Sequence, residues 1–262
     1  MASRYVTAGS RPSTVGNEST TRAWAREHYV MWQQKPGEAA GLFVRAGRFM
    51  PVFGLRLAEH PTYTRRFGGT PLYGDTYGVA VEYVTSKFEA HLTGFIKDPL
   101  LDTVEHSNGG ALYSELRLDE TLAVGLEGMF TDSDDDKKIR IGGTAKKLLT
   151  GPEILLQAEL QFVNQLIDSA VSDEPLGAPK GLVGNVMASR MFGDGVLIDV
   201  AVGHYDPNIR IKNLDRDCVD LNIHWFTTSH VELVLNARYE LIGLGSGGDA
   251  GAYAIAQLHY RL

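Results

Sequence analysis

Along residues 219–262 the chain alternates apolar and polar residues three times over without losing parity. Val219, Leu221, Ile223 and Trp225 alternate with Cys218, Asp220, Asn222 and His224. Val231, Leu233, Leu235, Ala237, Tyr239 and Leu241 then alternate with Glu232, Asn236, Arg238 and Glu240. Ala252, Ala254, Ala256, Leu258, Tyr260 and Leu262 follow, set against Gln257, His259 and Arg261. A period of two marks a strand whose successive side chains point to opposite faces. A soluble sandwich also alternates, but it seldom puts repeated charges opposite so long an aliphatic face. A transmembrane β-barrel does, because hydrocarbon lies outside its wall and water within.

Carried along the whole chain, this pattern predicts about fourteen strands. They fall near 2–8, 22–34, 41–49, 77–84, 87–97, 110–118, 121–131, 138–148, 152–163, 181–191, 195–205, 215–227, 230–242 and 251–262. An even number is what single-chain bacterial barrels require, and about sixteen follows if strands have been trimmed ahead of residue 1. The connections alternate too. Counted back from a periplasmic C-terminus, those near 9–21, 50–76, 98–109, 132–137, 164–180, 206–214 and 243–250 lie outside, and they include every long one. The other side receives Lys35 to Glu38, Thr85-Ser86, Asp119-Glu120, Thr150-Gly151, Gly193-Asp194 and Thr228-Ser229, which are short turns. Outward aromatic residues gather at the two strand ends, as the interfaces of a membrane favour. Tyr83, Phe88, Trp225 and Tyr260 lie toward the short turns; Phe130, Phe162 and Tyr239 lie toward the long loops. The expected fold is all-β: a single transmembrane antiparallel up-and-down barrel over 1–262, with a long extracellular or inward-folded loop at 50–76.

Composition narrows the function. The chain has 262 residues, 44% of them hydrophobic, and no run approaches the roughly 18 apolar residues of a membrane-crossing helix. Its single cysteine excludes an intrachain disulfide and any Cys-rich metal or haem-attachment motif. A net charge of −7 argues against a nucleic-acid partner. Residues 1–9 lack the basic start, apolar core and cleavage site of an export signal, so the chain is expected to be a mature or trimmed form of an exported protein.

The charged face then becomes the wall of a hydrated lumen, since an isolated buried ion is costly. Its candidate pore-lining residues are Arg117, Lys138, Arg140, Lys146, Glu159, Asp220, Glu232, Arg238 and Glu240. Lys138, Arg140 and Lys146 share one strand, far from Asp220, Glu232 and Glu240. Either the two signs set up a transverse field, or they pair and stiffen the wall. The loop 50–76 adds Arg56, Glu59, His60, Arg65 and Arg66, either as a constriction folded into the lumen or as a packed surface lid. Asp132, Asp134 and Asp136 alternate as calcium ligands do, but the loop lacks the glycine and distal glutamate of such sites and reads as a solvated hairpin tip. Gly142-Gly143 and Gly245 to Gly248 do not join a strand to a helix, so they are no phosphate loops. His204 with Asp206, and Ser229 with His230, do not assemble a nucleophile, base and orienting group. No metal, cofactor or catalytic residue is implied.

The run from Arg45 to Leu55, RAGRFMPVFGL, follows a strand ending near Trp32-Gln33 and a Pro-Gly turn. It resembles the GRF-x-P-x-FGL element of the phosphate-selective porin group, over about residues 22–95. The last strand, with Tyr260 two residues before the end, is similar to the closing strand of outer-membrane barrels, though Leu262 stands where an aromatic residue is usual. The resemblance implies a trimeric diffusion channel with lysine-rich anion selection, from which the acidic balance and mixed lumen depart. A similar arrangement sheathes periplasmic multihaem cytochromes. The expectation is therefore an outer-membrane porin, not an enzyme, forming a water-filled channel for passive diffusion of small hydrophilic solutes or ions. Its partners would be the lipid bilayer, those solutes, and either a homo-trimer or a protein held in the lumen, with no nucleic acid. The alternatives are a sleeve around an electron-transfer cytochrome and a barrel hydrolase.

Overall fold

Among the described residues fourteen strands form one antiparallel sheet in which every strand lies beside its neighbours in sequence. They are β1 (Ala2–Val6), β2 (Trp24–Gln33), β3 (Gly41–Phe49), β4 (Thr76–Val84), β5 (Phe88–Ile96), β6 (Asn108–Arg117) and β7 (Leu122–Asp132). The second half comprises β8 (Lys137–Leu149), β9 (Ile154–Leu166), β10 (Lys180–Phe192), β11 (Val196–Asp206), β12 (Arg216–Thr228), β13 (Val231–Ile242) and β14 (Ala250–Tyr260). A short helix, α1 (Tyr63–Phe67), interrupts the loop after β3. The structure is a computed structural model that describes residues 2–6, 24–55, 57, 62–69, 74–97, 107–133, 137–166, 179–243 and 248–260, with side chains from residue 27 onward.

All fourteen predicted strands are present. Their described ends differ from the predicted ones by at most a few residues, the largest difference being β9, which runs on to Leu166. The short turns fix the register. Gln34 N–H bonds Leu42 O at 2.9 Å, Leu118 N–H bonds Leu122 O at 2.8 Å, and Phe226 N–H bonds Gly195 O at 2.8 Å. At the β4–β5 turn the Thr85 hydroxyl accepts from Phe88 N–H at 2.9 Å; after β6, Asp119 accepts from Thr121 N–H at 2.6 Å. Such side-chain bonds to nearby amides make these turns tight.

Register carries the parity of the sequence into space. Val200, Leu221, Ala237 and Ala254 form one outward row, and Ala201, Asp220, Arg238 and Tyr253 the adjacent inward one. Burial is inverted relative to a soluble protein. Leu126 is 71% exposed and Trp225 52%, while Asp220 and Arg238 are 5% and 4% exposed. Patches of exposed apolar surface on soluble monomers rarely exceed roughly a few hundred Å². Here an aliphatic face runs along most of the sheet, which suits hydrocarbon. The predicted girdle residues Tyr83, Phe88, Phe130, Phe162, Trp225, Tyr239 and Tyr260 are all exposed on it, and Trp32 and Phe192 join them at the short-turn end.

The sheet curls around its charged face, because the loop after β3 touches the inward sides of both β5–β7 and β10–β13. Among the described residues no ladder joins β14 to β1, and β14 is exposed on both faces.

Candidate functional site

The lumen is crossed by the segment that follows β3. Phe53 is fully buried against Phe95 of β5, Ala111 of β6 and Met129 of β7. The backbone next passes between two carboxylates. At Gly54 the backbone has φ +66°, which glycine adopts without strain, and a side chain there would have to displace the Glu159 carboxylate and crowd Glu127. Leu55 N–H then donates to Glu159 Oε2 at 3.3 Å. Leu57 packs on Met187 of β10 and Ala201 of β11. Tyr63, at the start of α1, is fully buried against Val183 of β10 and Cys218 of β12. Its hydroxyl donates to Glu240 of β13, and the Arg238 guanidinium lies 5.0 Å from its ring centroid. Burial and the Glu240 carboxylate push the Tyr63 phenol well above its usual range. Phe67 then stacks on Tyr205 of β11, with centroids 3.9 Å apart and planes at 8°.

The landing points have a common character. Ala111, Met129, Val183, Met187, Ala201 and Cys218 all occupy inward positions of strands whose other inward positions are mostly polar. Each removes a charge where an apolar loop residue arrives, so burial of Phe53, Leu57 and Tyr63 displaces water without stranding an ion. These sockets, with Phe53, Tyr63, Phe67 and Tyr205, were not singled out from sequence. The signal was there in the apolar residues at inward parity.

Elsewhere the inward charges meet in pairs. Across β3, β4 and β5, Arg45 Nη2 lies 2.6 Å from Glu82, and His91 sits 3.5 Å from Glu82 and 3.8 Å from Glu89. Arg117 continues the chain at 2.7 Å from Glu89 and 3.6 Å from Glu115, and Lys146 closes it at 2.6 Å from Glu115. On β11–β14, His224 is 3.6 Å from Asp199 and 2.9 Å from Glu232, which His259 approaches at 3.2 Å. Arg238 grips Asp220 with two bonds of 2.5 and 2.6 Å. Of the three cations predicted on one strand, Lys146 is thus paired from β6.

Lys138 and Arg140 of β8 face, with Arg66, a cavity of about 520 Å³ on the long-loop side of α1. Arg140 donates to Thr131 Oγ1 at 3.3 Å. Arg65 does not reach this cavity: it is buried, and its guanidinium donates to Leu57 O at 2.6 Å, clamping the loop onto itself. Glu159 lies under the loop, accepting from Leu55 and Gln161. Arg56, Glu59, His60, Asp134 to Asp136 and Gly245 to Gly247 lie outside the described residues. Among the described residues no group of three or more His, Cys, Asp or Glu side chains is placed to hold a metal ion. His204 bonds Asp217 rather than Asp206, at 2.9 Å, and the pair sits on the outward row with Val202 and Val219.

An up-and-down antiparallel sheet, apolar outside and charged within, with a loop folded into the interior, has the architecture of a bacterial outer-membrane β-barrel. Solved structures agree. The outer-membrane expressed OmpT of Vibrio cholerae superposes with a TM-score of 0.68 at 12% identity, over 91% of this chain and 81% of that one. OprB of Pseudomonas putida gives 0.63 at 12% identity, over 91% and 73%. An anion-selective porin from Comamonas acidovorans gives 0.57 at 15% identity, over 83% and 72%. At these identities the likeness is one of fold, and that fold is the expected porin-like barrel. No protein-family model matches the chain, and no curated protein matches its sequence.

Proposed function

We propose that the protein is an outer-membrane porin, a passage for passive diffusion of small hydrophilic solutes or ions, narrowed by the segment 50–69. The observation that carries this reading is the course of that segment, from Phe53 on one wall to Tyr63 on the opposite one. A barrel that merely occupied a bilayer would gain nothing from a charged interior, whose ions stay stable only when hydrated or paired. Arg66, Lys138 and Arg140 stand at the outer mouth; Arg117, Lys146 and Glu232 line the periplasmic half. Glu159, Asp220, Arg238 and Glu240 hold the loop and the wall beside it, and Arg65 shapes the loop. In this reading these groups bias ion passage and perform no chemistry. The trimer that the sequence resemblance implies belongs to the same proposal. A sleeve around a partner protein would require Leu57 and Tyr63 to leave the lumen they fill.

The test is reconstitution. In planar bilayers the purified barrel is expected to give discrete, ohmic conductance steps, and in liposomes it should admit small sugars. A correctly inserted barrel that does neither is not a porin.

A further inference from the structure

We infer that the outward face of β8–β10, at the short-turn rim of the barrel, is a docking site for an anionic phospholipid, phosphatidylglycerol being the simplest class. The inference needs the bilayer around the wall and not a conducting lumen. Among the described residues, the outward positions in the short-turn halves of the strands carry just two charged side chains, Lys147 of β8 and Arg190 of β10. Both are cations. Lys147 Nζ donates to the Thr121 hydroxyl at 2.7 Å, and the Arg190 guanidinium lies 4.9 Å from the Phe192 ring centroid. Neither contact cancels the charge. Asp119, the carboxylate in the turn near Lys147, is exposed to water and already accepts from Thr121 N–H and Oγ1 at 2.6 and 2.7 Å. The opposite rim is built differently, for there Lys137 lies 3.5 Å from Asp132 and His204 2.9 Å from Asp217.

The two cations stand where the aromatic girdle breaks. Between Phe88 of β5 and Phe192 of β10, the short-turn ends of β6 to β9 hold no aromatic residue. Register sets Arg190 level with Ile154 of β9, and Lys147 level with Leu156. The two therefore lie two strands apart, about 10 Å, and two residues apart along the strands, about 7 Å. Long side chains spanning that gap frame one headgroup, and its phosphate accepts charge-assisted hydrogen bonds from both. Toward the middle of the wall the same three strands turn small side chains outward: Gly143 and Ala145 on β8, Ala158 on β9, Gly184 and Ala188 on β10. They leave the surface low beside the exposed Leu126 and Leu160, so acyl chains can lie close against it and gain dispersion contact. Phosphatidylcholine offers the same phosphate, but its own ammonium competes with Lys147 and Arg190. A headgroup with net negative charge has no such competitor.

Native mass spectrometry of the intact barrel in a non-ionic detergent, titrated with phosphatidylglycerol or phosphatidylcholine, tests this without requiring transport. The first phosphatidylglycerol is expected to bind about tenfold more tightly than the first phosphatidylcholine. Lys147→Gln and Arg190→Gln should each weaken phosphatidylglycerol about fivefold, the factor that one cation near an anionic headgroup supplies, and leave phosphatidylcholine almost unchanged. Lys35→Gln, which removes the same charge from an exposed turn, should change neither. Glycerol 3-phosphate, a headgroup without chains, should displace no bound lipid at equal concentration. Heat-modifiable migration on gels confirms that each variant is folded. Equal affinity for the two lipids would leave only the ordinary contact of a barrel with its bilayer. Unchanged affinity in both rim variants, or an equal loss in Lys35→Gln, would make the preference one of net charge; displacement by glycerol 3-phosphate would make the ligand a free phosphate ester. Each of these results overturns the inference. A barrel that conducts without preferring phosphatidylglycerol sinks this site and leaves the channel standing, and the reverse result separates the two in the other direction.

Discussion

The hydroxyl of Tyr63 donates to the carboxylate of Glu240, a residue 177 positions further along the chain and on the far wall of the lumen from the loop's point of entry. That bond, with the burial of the Tyr63 ring against Val183 and Cys218, fixes the loop across the barrel rather than above it. The phenol keeps its proton because burial and the neighbouring carboxylate both oppose ionisation. Tyr63→Phe should keep the packing and lose the bond, costing about 1–3 kcal/mol by stranding the acceptor. A lower temperature for the shift from folded to unfolded migration on gels would register the loss; an unchanged temperature would mean that Glu240 is not the anchor.

Gly54 carries a second constraint. Its left-handed backbone disfavours any other residue, and a methyl group there would have to push the Glu159 carboxylate aside. Gly54→Ala should therefore unseat the loop at a cost of about 1–3 kcal/mol, visible as faster proteolysis between Phe49 and Thr76. In Gly54→Ala/Glu159→Ala the collision is relieved, so the two effects should fall short of their sum. Strict additivity would show that the two residues do not meet.

Arg238 and Asp220 form a buried bidentate pair between β12 and β13. Removing the cation alone, in Arg238→Ala, should destabilise the barrel by about 3–5 kcal/mol, because Asp220 keeps its charge without a partner. Replacing both with apolar residues, as in Arg238→Met/Asp220→Leu, should recover most of the loss. Urea unfolding in lipid bilayers measures both variants. A double variant no better than Arg238→Ala would mean that the pair is doing something other than cancelling charge.

The direction of the faces is tested by one substitution on each. Leu126 stands mid-strand on the outward face of β7, and Gln157 points inward from β9. Leu126→Arg should cost about 2–4 kcal/mol of folding stability in a bilayer, as a charge at the lipid midplane does. Gln157→Arg should be tolerated. Equal penalties in the same bilayer unfolding assay would contradict the assignment.

Most of the wall was legible in the sequence, because lipid outside and charge inside impose a strict period of two that each strand displays alone. Val219 to Trp225 needs no partner to declare its faces, and Thr85-Ser86 or Asp119-Glu120 mark turns by chemistry local to them. The site was only half legible for the opposite reason. Whether Lys146 lies against Glu115 depends on register between strands, and where Phe53 and Tyr63 land depends on a loop that crosses from β7 to β12. Local pattern carries no such distance. What it does carry is the exception: Met129, Val183 and Ala201 are apolar where parity asks for polar residues, and these are the loop's sockets.

The most direct test of a lumen narrowed by its own loop is single-channel conductance of Phe53→Ala/Tyr63→Ala beside the unaltered protein. Truncating two buried aromatic anchors forfeits about 3–5 kcal/mol at each, enough to release the segment while leaving the ladders of the wall intact. The account predicts discrete steps from the unaltered barrel and steps at least about twofold larger from the variant, since a released loop widens the passage. Steps of equal size in both, from barrels shown to be folded, would mean that the segment is not the constriction.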